Sequence, residues 1–329
     1  MIFLNNSFGL KSSASELTIV DDNYKVDGYK PWFIIGDASN CIISSNLEAN
    51  CIKTNFNKIE LINEQEHYIT CRVGASMNWH NFVLESSKHG WHGLENLALI
   101  PGTVGAAPVQ NIGAYGVELS NVLKSCTVYD VKKRQIKKLY KLDCKFGYRD
   151  SIFKQDPGRY IILSIDLELI NGPYHNLNLQ YPDVKRTIDE LNISNPTILD
   201  CRNIISEIRK SKLPPMDKGI GSAGSFFKNP IISKTKLEQL LKVNKNLKWF
   251  ELESEEIVKV SAANLIETSG LKNYKINGVG TYKNQPLVIV NLSSCNGKSI
   301  WDFSLFIIHR VKEVYGIELI PEVNIWNEK

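Results

Sequence analysis

Apolar residues change their spacing from one stretch of this chain to the next, and each spacing predicts an element. Pro31-Trp32-Phe33-Ile34-Ile35 is an unbroken apolar run, the pattern of a buried strand, and the turn Gly36-Asp37-Ala38-Ser39-Asn40 ends it. Tyr68–Val73 predicts another strand and Trp79–Ser87 a helix, while Arg159–Ile170 alternates as a half-buried strand does. A different texture begins at Asn195-Pro196, which read as an N-cap and first helical residue. Cys201, Ile204, Ile205 and Ile208 then share one helical face, and Leu213-Pro214-Pro215 stops the helix. Tyr274–Tyr282 and Pro286–Leu292 predict a hairpin around Lys283-Asn284-Gln285. Ser299-Ile300-Trp301-Asp302 reads as a capping box, opening a helix with the stripe Ile300, Phe303, Ile307, Val311 and Val314 and a stop at Gly316. Strands and helices mixed in two differently textured halves predict the α+β class. Gly172, Pro173 and Pro182 place the link near residues 171–195, giving a first region over 1–190, with lobes 1–57 and 58–190, and a second over 191–329.

One stretch follows neither period. Gly93–Gly116 is rich in glycine, alanine and amide side chains and carries a single charge, Glu95. Its glycines permit positive φ and close approach of backbone N–H groups to a ligand, and its apolar residues keep it inside the protein. That combination fits a chain wrapped around a large, flat, phosphate-bearing cofactor.

Composition narrows the class. At 329 residues the chain exceeds one ordinary core and predicts two or three domains. Hydrophobic content of 43% with 22% charged residues is that of a soluble globular protein. The net charge of +4 is spread along the sequence, so no basic arm for nucleic acid is expected, although it suits an anionic substrate. Seven cysteines without a Cys-x-x-Cys pair predict reduced thiols in the cytoplasm. The N-terminus lacks the pattern of a signal peptide, and no stretch approaches the roughly 20 apolar residues of a membrane span. The histidines have no metal-ligand spacing, so no metal is expected.

Three short segments place polar residues in apolar or glycine-rich surroundings. In Phe146-Gly147-Tyr148-Arg149-Asp150-Ser151, Arg149 is either a donor to an anion or half of a surface ion pair with Asp150. In Gly221–Pro230, Ser225 sits on a small-residue turn, poised for proton transfer or satisfying its own backbone. In Leu319-Ile320-Pro321-Glu322-Val323, Glu322 is either a buried acid or an edge-strand side chain facing water. Gly36–Asn40 suits a pyrophosphate or a simple turn; without G-x-G-x-x-G it does not indicate a Rossmann site. Signatures of hydrolases and P-loop NTPases are missing from the sequence.

Taken in order, Asn6-Ser7-Phe8-Gly9-Leu10, Gly36–Asn40, Gly93–Gly116, Tyr148–Ser151, Gly224–Pro230 and Pro321-Glu322-Val323 resemble the UDP-N-acetylenolpyruvoylglucosamine reductases over nearly the whole chain. Tyr181, ahead of Asp183, resembles the substrate-clamping tyrosine of the family's longer form. The resemblance implies an FAD-binding domain of the vanillyl-alcohol-oxidase (PCMH) type followed by a smaller α+β substrate domain, with a strand near 319–326 returning to the active site. It implies non-covalent FAD along Gly36, Asp37, Ala38, Ser39 and Asn40. Further along, Pro101, Gly102, Val104, Gly105, Ala106, Pro108, Gln110, Asn111, Ile112, Gly113, Ala114 and Tyr115 would hold the same cofactor, with Arg209 nearby. It implies NADPH as hydride donor, a UDP-sugar nucleotide substrate held by Tyr148, Tyr181, Lys212 and Asn229, a monomer, and a role in peptidoglycan synthesis. Arg149 would bind the substrate carboxylate, Glu322 in its acid form would donate to the developing enolate, and Ser225 would protonate carbon. A flavin oxidase on the same fold and a non-catalytic flavin-binding protein are the competing readings; Arg149, Ser225 and Glu322 together speak against lost chemistry.

The chain departs from the family's pattern in places. Ala38 stands where a second glycine is usual, and an alanine does not take positive φ cheaply, which predicts a weaker or shifted hold on FAD. Asn264, Glu267 and Thr268 replace an expected aromatic and glutamine, which alters substrate contacts there. Asn324 replaces a residue often basic, and Pro182 follows Tyr181 where a small residue is usual.

Overall fold

The computed structural model of the protein describes residues 2–21, 32–43, 46–172, 177–215, 219–252, 254–293 and 296–326; Pro31, Pro173 and Cys295, drawn on above, lie outside them. The chain separates into two compact units, residues 1–2, 14–37 and 48–209 forming the first and residues 3–13, 38–47 and 210–329 the second. The division therefore falls at Arg209–Lys210 rather than near residue 190, because Cys201, Ile204 and Ile205 pack into the first unit's core. Two N-terminal stretches belong to the second unit, where Phe8 and Ile42 pack in the core.

In the first unit an antiparallel sheet is formed by β1 (Ile59–Glu64), β2 (Tyr68–Gly74), β3 (Leu123–Asp130), β4 (Gln135–Tyr140) and β5 (Tyr160–Asn171), in the order β4-β3-β5-β2-β1. The alternation over Arg159–Ile170 is β5, whose Ile162, Ile165, Leu167 and Leu169 are buried. Helix α1 (Trp79–Lys88) buries Trp79, Phe82, Val83 and Ser86, the i, i+3, i+4, i+7 stripe, and the Asn78 side chain caps it by accepting from Asn81 N. The glycine-rich stretch contains two 3₁₀ turns, Glu95–Leu97 and Ala107–Gln110, and no α-helix. Leu94, Leu97, Ala98, Val104 and Ala107 anchor it in the same core as α1. Helix α2 (Pro182–Glu190) follows, then α3 (Ile198–Lys212). The start of α3 is two residues later than the sequence suggests: Asp200 N donates to Thr197 Oγ1 at 3.2 Å, while Thr197 N donates back to the Asp200 carboxylate at 2.9 Å.

In the second unit β6 (Gly221–Ser225), β7 (Lys275–Ile276), β8 (Val279–Tyr282) and β9 (Gln285–Asn291) form a sheet in the order β6-β9-β8-β7. The predicted hairpin is present, but its first arm folds again at Asn277-Gly278, both at positive φ, and Gln285 opens the second arm instead of lying in the turn. Helix α4 (Gly297–Tyr315) starts one turn earlier than the predicted box, because Asn296 Oδ1 accepts from both the backbone and hydroxyl of Ser299. Its buried stripe is Ile300, Phe303, Ile307 and Val311, with Val314 partly buried beside it, and Gly316 ends it at φ 61°. Near the C-terminus Asn324–Trp326 pairs in parallel with Cys41–Ile43. Among the described residues no helix is long and apolar enough to cross a membrane.

Candidate active site

The turn after Trp32–Ile34 and the glycine-rich stretch meet inside the first unit. A Cβ on Gly36 would lie 2.6 Å from Thr103 Oγ1, so glycine is required there for the two backbones to close on each other. Gly105 is under the same constraint, a Cβ falling 2.7 Å from that of Ala75. Left-handed residues shape both segments: Ala38 has φ 48°, Leu99 57°, Asn111 44° and Tyr115 49°. The alanine at 38 thus takes the conformation that a glycine would take more cheaply. Val104 and Ile112 point into the core, so these two candidate cofactor residues can offer a ligand only backbone. Asp37 faces Lys53 at 3.8 Å.

Asn111 fixes the second segment. Its Nδ2 donates to Glu118 Oε2 at 2.6 Å and to Gly147 O at 3.2 Å, and its Oδ1 accepts from Ser120 N at 2.9 Å. The bond to Gly147 ties the loop to the turn that carries Arg149. Arg149, itself at φ 55°, donates from Nη2 to Gly113 O and lies over the Tyr148 ring at 5.4 Å. Asp150 accepts from Ser151 N and from Gln155 Nε2, each at 2.9 Å, and so holds the turn.

A second group of candidates gathers beside the loop. The Tyr115 and Tyr181 rings meet edge to face at 5.0 Å, and Arg209 hydrogen-bonds Tyr115. Burial pushes the Tyr115 hydroxyl up to about 12, against the lowering effect of Arg209. Burial likewise draws Arg209 below the usual guanidinium range, and the positive charge of Arg149 acts in the same direction. Arg209 Nη2 reaches Leu99 O at 3.4 Å, whereas its Nε is buried with no hydrogen-bond partner among the described residues. A buried cationic donor left unsatisfied at a loop of left-handed turns fits an anionic group.

The second unit brings together the segments that bear Ser225 and Glu322. Ser225 ends β6 after Gly224, whose φ of 71° turns the chain, and the serine side is exposed. Its neighbour Phe226 accepts through its carbonyl from Glu322 N at 2.8 Å, and Phe227 bridges Pro321. Glu322 is only 8% exposed, which excludes a water-facing edge position. Asn40 Nδ2 donates to Glu322 O at 3.2 Å and Asn40 O accepts from Asn324 N at 3.0 Å, so the Gly36–Asn40 turn ends against the strand bearing Glu322.

Other candidates have structural duties. Asn229 Oδ1 accepts from Ala262 N at 2.9 Å, and Lys212 closes α3 half-buried. Tyr181 precedes Pro182, the first residue of α2, which explains a proline at that position. The departures at 264–268 each have a partner within the second unit. Asn264 Oδ1 accepts from Lys248 N at 2.9 Å, Thr268 Oγ1 donates to Asn264 O at 2.6 Å, and Glu267 pairs with Lys272. Asn324 Nδ2 also bonds Asn40 O, at 3.3 Å. Sequence reading missed Thr103, which meets Gly36, and Asn96, which is 1% exposed and bonds Tyr115 O. An amide beside the single charge Glu95 in the otherwise apolar stretch Leu94–Ile100 was the available signal for Asn96.

Comparison with known proteins bears on the fold and the family. Residues 27–137 match the model of an FAD binding domain, and residues 214–326 match that of the UDP-N-acetylenolpyruvoylglucosamine reductase C-terminal domain. The UDP-N-acetylenolpyruvoylglucosamine reductase of Flavobacterium johnsoniae is 36% identical over 326 residues, covering 97% of this chain and 96% of its own length. That of Amoebophilus asiaticus is 41% identical over 292 residues, covering 88% of this chain and 85% of its own. The crystal structure of UDP-N-acetylenolpyruvylglucosamine reductase from Thermus caldophilus shares the fold at a TM-score of 0.68 and 22% identity, over 98% of this chain and 96% of that one. The α+β fold with an N-terminal FAD-binding region, expected from the motifs, is therefore the observed one. By these matches along its whole length, the chain belongs to the UDP-N-acetylenolpyruvoylglucosamine reductase family.

Proposed function

We propose that this chain, an FAD-dependent oxidoreductase, reduces the enolpyruvyl double bond of UDP-N-acetylenolpyruvoylglucosamine to give UDP-N-acetylmuramate, a peptidoglycan precursor. The observation that carries the reading is the bond between Phe226 O and Glu322 N, which holds the backbone of the buried Glu322 one residue away from the exposed Ser225. FAD would be held by the turn Gly36–Asn40, the loop 101–115 and Arg209, whose unsatisfied Nε suits one of its anionic oxygens. When bound, FAD would supply the hydride chemistry that links NADPH oxidation to reduction at the substrate's methylene carbon.

That transfer leaves a pair of electrons on the neighbouring carbon, shared with the attached carboxylate. Arg149 binds the carboxylate through its paired donors, which requires the guanidinium to leave Gly113 O or to use its remaining N–H groups. Glu322, in its acid form, donates to the same charge. Ser225 then gives its proton to the carbon, completing addition of one hydride and one proton across the double bond. Tyr148, Tyr181, Lys212 and Asn229 are assigned to the substrate. We assign the reaction to the cytoplasm and to a monomer, as the sequence motifs imply.

The test is anaerobic stopped-flow absorbance. Protein loaded with FAD is reduced by NADPH and mixed with the sugar nucleotide, and rapid reoxidation is expected. Ser225→Ala should slow that phase by about 10²–10⁴-fold while leaving reduction by NADPH intact. Reduced protein that ignores the sugar nucleotide and reacts rapidly with oxygen would make the chain an oxidase.

A further inference from the structure

Asn96 uses its whole amide inside the first unit. Nδ2 donates to Tyr115 O and to Asn178 O, each at 2.9 Å, and Oδ1 accepts from the Cys201 thiol at 3.6 Å. Asn178 returns a bond, its Nδ2 donating to Gly116 O at 3.1 Å. Gly116 is tuned to this partner: it has φ 81°, and a Cβ on it would lie 3.0 Å from Asn178 Nδ2. The two asparagines thus lace three segments that are far apart in sequence, namely the run around Asn96, the loop end Tyr115-Gly116 and the stretch that leads into Tyr181. Cys201 adds α3, whose later residue Arg209 bonds Tyr115.

We propose that Asn96 and Asn178 are positioning residues that set the Tyr181 ring against Tyr115 and thereby fix where the sugar nucleotide is held. Two residues separate Asn178 from Tyr181, and α2 begins immediately after Tyr181. With the clasp made, the approach to Tyr181 has its backbone pinned at residue 178, and the ring meets that of Tyr115, whose carbonyl the Asn96 amide holds. Without it, the stretch before α2 keeps the packing of Leu177 and Leu179 on the core but loses its backbone tie at residue 178, and the ring gains freedom that substrate binding must then remove. The inference rests on the assignment of Tyr181 to the substrate.

Asn178→Ala tests it, because Asn178 is half-buried and its removal leaves the core untouched. Loss of one positioning bond should raise the KM for UDP-N-acetylenolpyruvoylglucosamine about fivefold, with kcat, the KM for NADPH and flavin content unchanged. In the Tyr181→Ala background the same substitution should add nothing. Hydrogen exchange read by mass spectrometry should quicken over residues 177–191 and stay unaltered over α1. Asn96→Asp, which turns a carboxylate toward two carbonyl groups, should produce the same exchange signature more strongly. An unchanged KM for the sugar nucleotide, or effects that add to those of Tyr181→Ala, would overturn the assignment. Should the unaltered protein fail to turn over the sugar nucleotide, the reaction assigned above is wrong. Exchange over 177–191 still decides the clasp: quickening supports it, and no change refutes it.

Discussion

Two turns in this protein place a non-glycine residue at nearly the same left-handed φ, 48° at Ala38 and 44° at Asn111. They reach it by opposite means. Asn111 holds its own conformation, its side chain bonding Glu118, Gly147 and Ser120 across two neighbouring segments. Ala38 has no side chain to do so and is held from outside: Ser7 N donates to its carbonyl at 3.3 Å, Ser7 Oγ donates to Ser39 O at 3.1 Å, and Asn40 is tied to residues 322 and 324. In the first case the conformation is encoded locally; in the second it is a consequence of packing by distant parts of the chain.

The largest test of this contrast is Asn111→Ala. It removes three bonds at once, takes from Ser120 N and the Glu118 carboxylate the partner each finds in Asn111, and puts an alanine at positive φ. The expected loss is about 4 kcal/mol, read as a lower denaturant midpoint, with flavin retention falling in parallel. Asn111→Gly relieves the backbone but not the lost bonds, so it should fall nearly as far. If glycine instead restores most of the stability, backbone strain rather than side-chain bonding governs this turn. A middle-sized effect is expected at the entry to the other turn. Gly36→Ala drives a methyl to 2.6 Å from Thr103 Oγ1, a short side chain that is 4% exposed and has little room to move. The cost should be about 2 kcal/mol, and Thr103→Ala in the same chain should recover most of it. Additive losses in the double variant would show that the contact is not what makes glycine necessary.

These turns also show how far the sequence reaches. The loop at 93–116 was legible because its glycines, amides and lone charge exclude both regular periods, and the stripes of α1 and α4 were legible because burial follows 3.6-residue spacing. Glu322 stood out as a charge in an apolar run, and it is buried. What escaped depends on partners far off in the chain. The N-cap of α4 moved from Ser299 to Asn296 because both residues are plausible caps, and only geometry shows Asn296 Oδ1 accepting both bonds. The boundary between units moved because nothing local says that Phe8 and Ile42 pack with Phe226 and Ile289. Asn96 was passed over because an amide declares its role only through what it bonds, here carbonyl groups at 115 and 178.

Ala38→Gly should give the smallest effect, and its size is the sharpest measure of the contrast. Removing the methyl relieves about 1–2 kcal/mol of left-handed strain. Against that, the unfolded chain gains freedom worth about 0.4–1 kcal/mol, and a methyl that is 5% exposed leaves the interior, which forfeits about 0.8 kcal/mol. The three contributions nearly cancel, so the urea midpoint should move by less than about 0.5 kcal/mol with an unchanged slope. A gain of about 1.5 kcal/mol or more would mean that the alanine is strained without compensation, and the surroundings of the turn would then not be what holds it. A near-zero shift beside the large loss at Asn111 would show that one backbone conformation can be held either by its own side chain or by its neighbours. It would also explain why an alanine is tolerated at this left-handed position, since Ser7 N bonds the carbonyl of residue 38, which either residue supplies, and the other ties are made at Ser39 and Asn40.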